Sequence, residues 1–96
     1  MKCIETITLR SLRKDNRQLV DELVRQFFTG KGPGLPASIK VYYHACVETD
    51  LSIHIHWEAE VQHPSEESAL GQSLFYALKG LGRVSHSLWV EAVALE

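Results

Sequence analysis

The chain has 96 residues, length for one domain and one core, since domains run from about 50 to 250 residues. Its formal net charge of -2, with acidic and basic residues interspersed, excludes the basic footprint of a nucleic-acid binder. No apolar run reaches the roughly 20 residues that span a bilayer, and Met1 to Glu5 lead into alternation instead of a secretory apolar stretch.

Residues 1–96 therefore read as a single domain, expected in the cytoplasm and away from membranes and nucleic acid. Cys3 and Cys46 are isolated, with no C-x-x-C spacing, and are expected to be reduced strand residues. A domain this small buries only about 60–70% of its unfolded surface, so pairing with a second copy adds useful burial.

From Lys2 to Arg10 the chain alternates, with Cys3, Glu5, Ile7 and Leu9 on one side and Ile4, Thr6, Thr8 and Arg10 on the other. This predicts the first strand. Asp15 or Asn16 is a candidate helix N-cap, and Leu19, Val20, Leu23, Val24, Phe27 and Phe28 form one apolar stripe. Gly30 is suited to the left-handed turn after that helix, and Gly32, Pro33, Gly34 and Pro36 keep the chain irregular to about Ser38. The glycines follow a helix and lack the G-x-x-x-x-G-K-[ST] order, so a phosphate loop is not expected.

Ile39 to Glu48 and Ser52 to Val61 are rich in β-branched and aromatic residues and flank Thr49-Asp50-Leu51, which predicts a hairpin. If Val41, Tyr43, Ala45 and Val47 share the apolar face with Ile53, Ile55, Trp57 and Ala59, cross-strand partners have an even sum of residue numbers. A three-residue loop meets this condition and sets Val47 opposite Ile53, Ala45 opposite Ile55 and Tyr43 opposite Trp57. The other face then pairs Cys46 with His54, His44 with His56 and Tyr42 with Glu58.

His63 and Pro64 end that strand, and Ser65 is a candidate N-cap with Glu66 and Glu67 favourably placed against the helix dipole. Leu70, Leu74, Ala77, Leu78 and Leu81 recur at helical spacing, and Gly80 and Gly82 supply the stop. From Arg83 alternation returns, with Val84, His86, Leu88, Val90 and Ala92 on one side and Ser85, Ser87, Trp89, Glu91 and Val93 on the other.

The order β-α-β-β-α-β predicts an α+β, ferredoxin-like domain: two helices on one face of a four-stranded antiparallel sheet. The uncovered face would carry Tyr42, His44, Cys46, His54, His56, Glu58 and Trp89, too aromatic for full exposure and too polar for a core. A second copy packed against it resolves the conflict.

In element order and length, and in the segments Ile55-His56-Trp57-Glu58, Ser68-Ala69-Leu70 and Val84-Ser85-His86, the chain resembles the dimeric α+β barrel superfamily, in particular its antibiotic biosynthesis monooxygenase-like group. The resemblance implies a homodimeric barrel with a pocket between sheet and helices that takes an aromatic polyketide, a quinol-like compound or haem. It also implies catalysis without a dedicated metal or flavin cofactor. Trp57 matches the tryptophan common near the end of the third strand. The histidine often found on the following helix has no counterpart, since Gly71 and Gln72 stand at the nearest positions, and the first strand lacks the asparagine of several active members. These departures weigh against haem ligation and against monooxygenase chemistry.

The resulting expectation is a homodimer that binds a small apolar or aromatic molecule, lined by Phe27, Tyr43, Trp57, Tyr76 and His86, with monooxygenase-like activity. Two other functions fit the same residues. One is a non-catalytic homodimeric interaction module. The other is a metal-binding protein using His44, Cys46, His54 and His56, whose donor types suit zinc or copper, although His54 and His56 stand about 7 Å apart along their strand. Packing is the simpler account of the aromatic residues, and hydrogen bonding within a barrel or dimer interface is the simpler account of the histidines. Catalytic residues are not identified, because triads are recognised by geometry, and His86 beside Ser85 or Ser87 is no evidence for one.

Overall fold

The structure, a computed structural model, describes residues 2–13, 15–28, 30, 34–58 and 68–96. Its elements are β1 (Cys3–Ser11), α1 (Asn16–Phe27), β2 (Ser38–Tyr43), β3 (Asp50–Trp57), α2 (Ala69–Leu78) and β4 (Gly82–Val90). The sheet is antiparallel with order β2-β3-β1-β4, so the expected β-α-β-β-α-β domain is the one observed. Both helices pack on one face. There Val20 and Val24 of α1 and Leu74 and Leu78 of α2 meet Ile7, Leu9, Leu51, Ile53 and Ile55, all nearly or wholly excluded from solvent. Burial of large aliphatic side chains contributes about 1.5–3 kcal/mol each and dominates the stability.

The strand alternation is followed residue by residue in β1, where Cys3, Glu5, Ile7, Leu9 and Ser11 are buried and the residues between them are not. In α1 the stripe is shallower than expected, because Leu19 and Phe28 remain exposed at its edges. Asp15 occupies the N-cap position, but its carboxylate caps no helix N–H and pairs with Arg13 at 2.9 Å. Asn16 instead ties the helix start to the sheet, donating from Nδ2 to Ser11 Oγ at 2.6 Å. Gly30 has φ +116°, the conformation expected of it. The expected N-cap Ser65, with Glu66, Glu67, His63 and the end of the third strand at Val61, lies outside the described residues, as do Gly32 and Pro33. Ser68 caps α2, its Oγ accepting from Gly71 N at 2.9 Å.

The β2–β3 hairpin corrects the expected register. Partners keep an even number sum, but they are Ser38 with His56, Ile39 with Ile55, Val41 with Ile53 and Tyr43 with Leu51. The connection is six residues long, His44 to Thr49, so Ala45, Cys46 and Val47 lie in an exposed loop and not in the strand. The loop is stabilised by a side chain that looked like a strand residue. Nδ1 of His44 accepts from the backbone N–H groups of Cys46 and Val47, each at 3.0 Å, while His44 N donates to Asp50 O. Arg17 of α1 braces the same loop, donating to Glu48 O at 2.9 Å and lying 4.4 Å above the Tyr43 ring.

Candidate functional site

Glu5 is the most unusual residue of the core. A carboxylate in the middle of an apolar strand face must be surrounded by donors, because burying an unpaired charge is costly. Register supplies them. On β1 Glu5 stands opposite Ile55 of β3 and Leu88 of β4, which leaves Trp57 on one side and His86 on the other as its diagonal neighbours on the same face. Trp57 Nε1 donates to Glu5 Oε1 at 2.8 Å, and His86 Nε2 lies 2.8 Å from Oε2. The side chains of Glu5 and His86 are 1% and 4% exposed.

The N-terminus of α2 closes the cluster from above. Ser68 N approaches Glu5 Oε2 at 3.4 Å, and the first-turn amides place the positive end of the helix dipole over the carboxylate. Gly71 makes this approach sterically feasible. A β-carbon there would collide with Glu5 Oε2 and stand 2.9 Å from both Cε1 and Nε2 of His86. Phe75, one turn further along α2, stacks on the His86 ring with centroids 6.1 Å apart. The second helix carries no histidine among its described residues, as the sequence indicates, yet an imidazole does reach the first turn of that helix from β4, into the space left by Gly71.

Because Glu5 accepts from the indole on one oxygen and faces a backbone N–H with the other, it acts as the acceptor, and His86 presents an Nε2 hydrogen to it. Such a group can hold a proton and orient an indole. Trp57 also looks outward. It lines an open concavity of about 460 Å³ at the end of the sheet, together with His56, Ser38, Trp89 and Cys3.

Of the expected lining residues, Trp57 and His86 are brought together by Glu5, and Phe27 packs half-buried against the core. Tyr43 and Tyr76 stand apart, 47% and 69% exposed, the first beneath Arg17 and the second beside Phe75 on the outer surface of α2. Glu5 was not anticipated, although its signal was legible: a lone carboxylate flanked by Cys3 and Ile7 on a core-facing strand. A second groove of about 350 Å³ between α1 and β2 is lined by Val24, Phe28, Ile39, Val41 and Tyr43 under the Asp21–Arg25 ion pair.

The histidine patch does not assemble as expected. His44 does not face His56, and Cys46 does not face His54, since both His44 and Cys46 belong to the hairpin loop. His54 and His56 remain neighbours, their rings 6.4 Å apart, with Tyr42 4.6 Å from His54. Among the described residues no three or more His, Cys, Asp or Glu side chains converge as metal ligands do. Burial in the sheet face, and then the neighbouring His56, hold the His54 imidazole below its ordinary pKa.

No protein-family model matches the chain, and no curated protein matches it significantly. Solved structures do. The chain is similar to SnoaB from Streptomyces nogalater, a cofactor-independent oxygenase, at 12% identity over 98% of this chain and 96% of that one, with a TM-score of 0.68. It is also similar to Rv0793 from Mycobacterium tuberculosis, at 13% identity over the whole of both chains and a TM-score of 0.65. A candidate antibiotic biosynthesis monooxygenase from Deinococcus radiodurans is 16% identical over 100% of this chain and 97% of its own, with a TM-score of 0.64. The near-complete coverage at such low identity is a likeness of backbone: the chain shares the β-α-β-β-α-β fold of these structures.

Proposed function

We propose that this chain is a single-domain, cytoplasmic homodimer that binds a small apolar or aromatic compound beside Trp57 and oxidises it by monooxygenase-like chemistry. The observation that carries the reading is the position of the Trp57 indole, which joins the concavity at the sheet end to the buried Glu5–His86 pair. A carboxylate in a core is expensive unless donors surround it, and here the donors are an indole and an imidazole whose placement leaves the indole facing the concavity. The likeness to a cofactor-independent oxygenase supports the same direction.

The chemistry requires no outside reductant when the substrate supplies the electrons. An aromatic methylene becomes a carbonyl as one oxygen atom enters the product, and the other leaves as water with the two hydrogens. Dimerisation is supported by the sheet face opposite the helices, where Tyr42 is 46% and Trp89 61% exposed and no described element covers them. Among the described residues no helix is long and apolar enough to cross a membrane.

Two measurements test the reading. A calorimetric screen of hydroxylated aromatics, followed by oxygen-uptake assays on the binders, should give a ligand whose affinity falls more in Trp57→Phe than stability does. Sedimentation at micromolar concentration should show a dimer. Binding of no aromatic compound, with a dimer intact, leaves the interaction module in its place.

A further inference from the structure

The two tryptophans have unlike partners. Trp89 is 61% exposed and donates its indole N–H to the neutral hydroxyl of Thr6 at 3.1 Å. Trp57 donates to Oε1 of a carboxylate that is 1% exposed, at 2.8 Å. Removing one electron from an indole leaves a cation and makes its N–H strongly acidic. A carboxylate at hydrogen-bond distance in a water-poor site stabilises that cation more than a solvated hydroxyl does, and it can take the proton. His86 on the second oxygen of Glu5 keeps the acceptor oriented, and the ring of Trp57 borders a concavity that small molecules can enter.

We infer that Trp57 is a redox-active residue, delivering one electron to a radical oxidant in the concavity and one proton to Glu5. For an organic peroxyl radical the indole N–H bond breaks, an O–H bond forms on Glu5, and the radical is reduced to its hydroperoxide anion. One negative charge, on the carboxylate before and on the hydroperoxide after, is conserved. The neutral indolyl radical remains on Trp57. The inference stands on the two hydrogen bonds and goes beyond the proposed function, which can hold or fail independently.

Azide radicals from pulse radiolysis oxidise indoles by one electron and are reduced to azide ion, and the indole cation and neutral indolyl radical have different absorption spectra. The full chain is used as two single-tryptophan variants, Trp89→Phe retaining Trp57 and Trp57→Phe retaining Trp89. In the first the neutral radical should form with a cation stage shorter by roughly 10²-fold than in the second, the low end of what a positioned proton acceptor contributes. Adding Glu5→Gln to Trp89→Phe keeps the shape and an acceptor oxygen but removes the base, and should lengthen the cation stage to that of Trp89. Equal cation lifetimes at the two tryptophans overturn the inference without any change at Glu5, so a poorly folding Glu5→Gln chain does not protect it. A Glu5→Gln chain that melts earlier but keeps a short cation stage assigns Glu5 a structural role only, and also overturns it.

Discussion

Replacing Gly71 by alanine is the sharpest test of how the buried cluster is built. In an ordinary helix the change stabilises by about 1 kcal/mol, because glycine is a poor helix former. At this position the added β-carbon collides with Glu5 Oε2 and crowds the His86 ring at 2.9 Å. Forcing an extra carbon into a packed core costs about 1–3 kcal/mol, and displacing Glu5 from His86 adds about 1–3 kcal/mol for buried polar atoms parted from each other. The net expectation is a loss of about 1–5 kcal/mol after the helix gain. For a domain of this size each kcal/mol lowers the melting temperature by roughly 4–8 °C. Gly80 is the control, since a β-carbon there meets nothing within 4 Å and its φ is not positive. Gly80→Ala should be neutral or stabilise by about 0.4–1 kcal/mol. Thermal melts of the two variants decide the matter: a Gly71→Ala protein as stable as its parent means that α2 does not press on the Glu5–His86 pair.

His54 gives a pH dependence. Its basic pKa is depressed in the folded chain, so the unfolded chain binds more protons, and stability should decline as pH falls through about 6.5 and level off below the folded value. His54→Gln should remove that part of the slope in denaturant titrations between neutral and mildly acidic pH, and an unchanged slope rejects the assignment. In the hairpin loop, His44→Ala deletes the acceptor of two backbone N–H groups, so hydrogen exchange at Cys46 and Val47 should accelerate while exchange in β1 stays put. Equal protection in parent and variant would show that the loop holds its shape without the imidazole.

The distance between pattern and structure is instructive at the hairpin. Alternation from Ile39 to Val47 fixes which residues share a face, and those parities hold for Ile39, Val41 and Tyr43. It cannot fix register, because sliding one strand by two residues leaves every side chain on its own face. The choice was made by local chemistry that alternation does not encode: the His44 ring turned back onto the loop amides, and Arg17 reached over from α1. Everything built on the shorter loop, the His44–His56 pair above all, failed with it. The cluster under α2 was half legible. Glu5 and His86 each sat on the correct face of a recognised strand, but their meeting depends on β1 lying beside β4 and on the room left by a glycine of α2. Those are tertiary facts, and no window of the sequence contains both partners.

The central place of β1 has a consequence during synthesis. Of the four strands of this sheet it is made first, and both of its neighbours come later: β3 through Trp57 opposite Cys3, and β4 through Val90 opposite the same residue. At roughly 5–20 residues per second, β1 waits on the order of several seconds for its last partner. Throughout that interval the backbone of β1 is unpaired and Cys3, Ile7 and Leu9 give it one apolar face, a combination of the kind that nucleates aggregation. Glu5 breaks that edge with a charge in its middle, as gatekeeper residues do. The carboxylate that the finished protein encloses beneath α2 is thus placed where its charge opposes association of the nascent strand until the chain that will enclose it has been made.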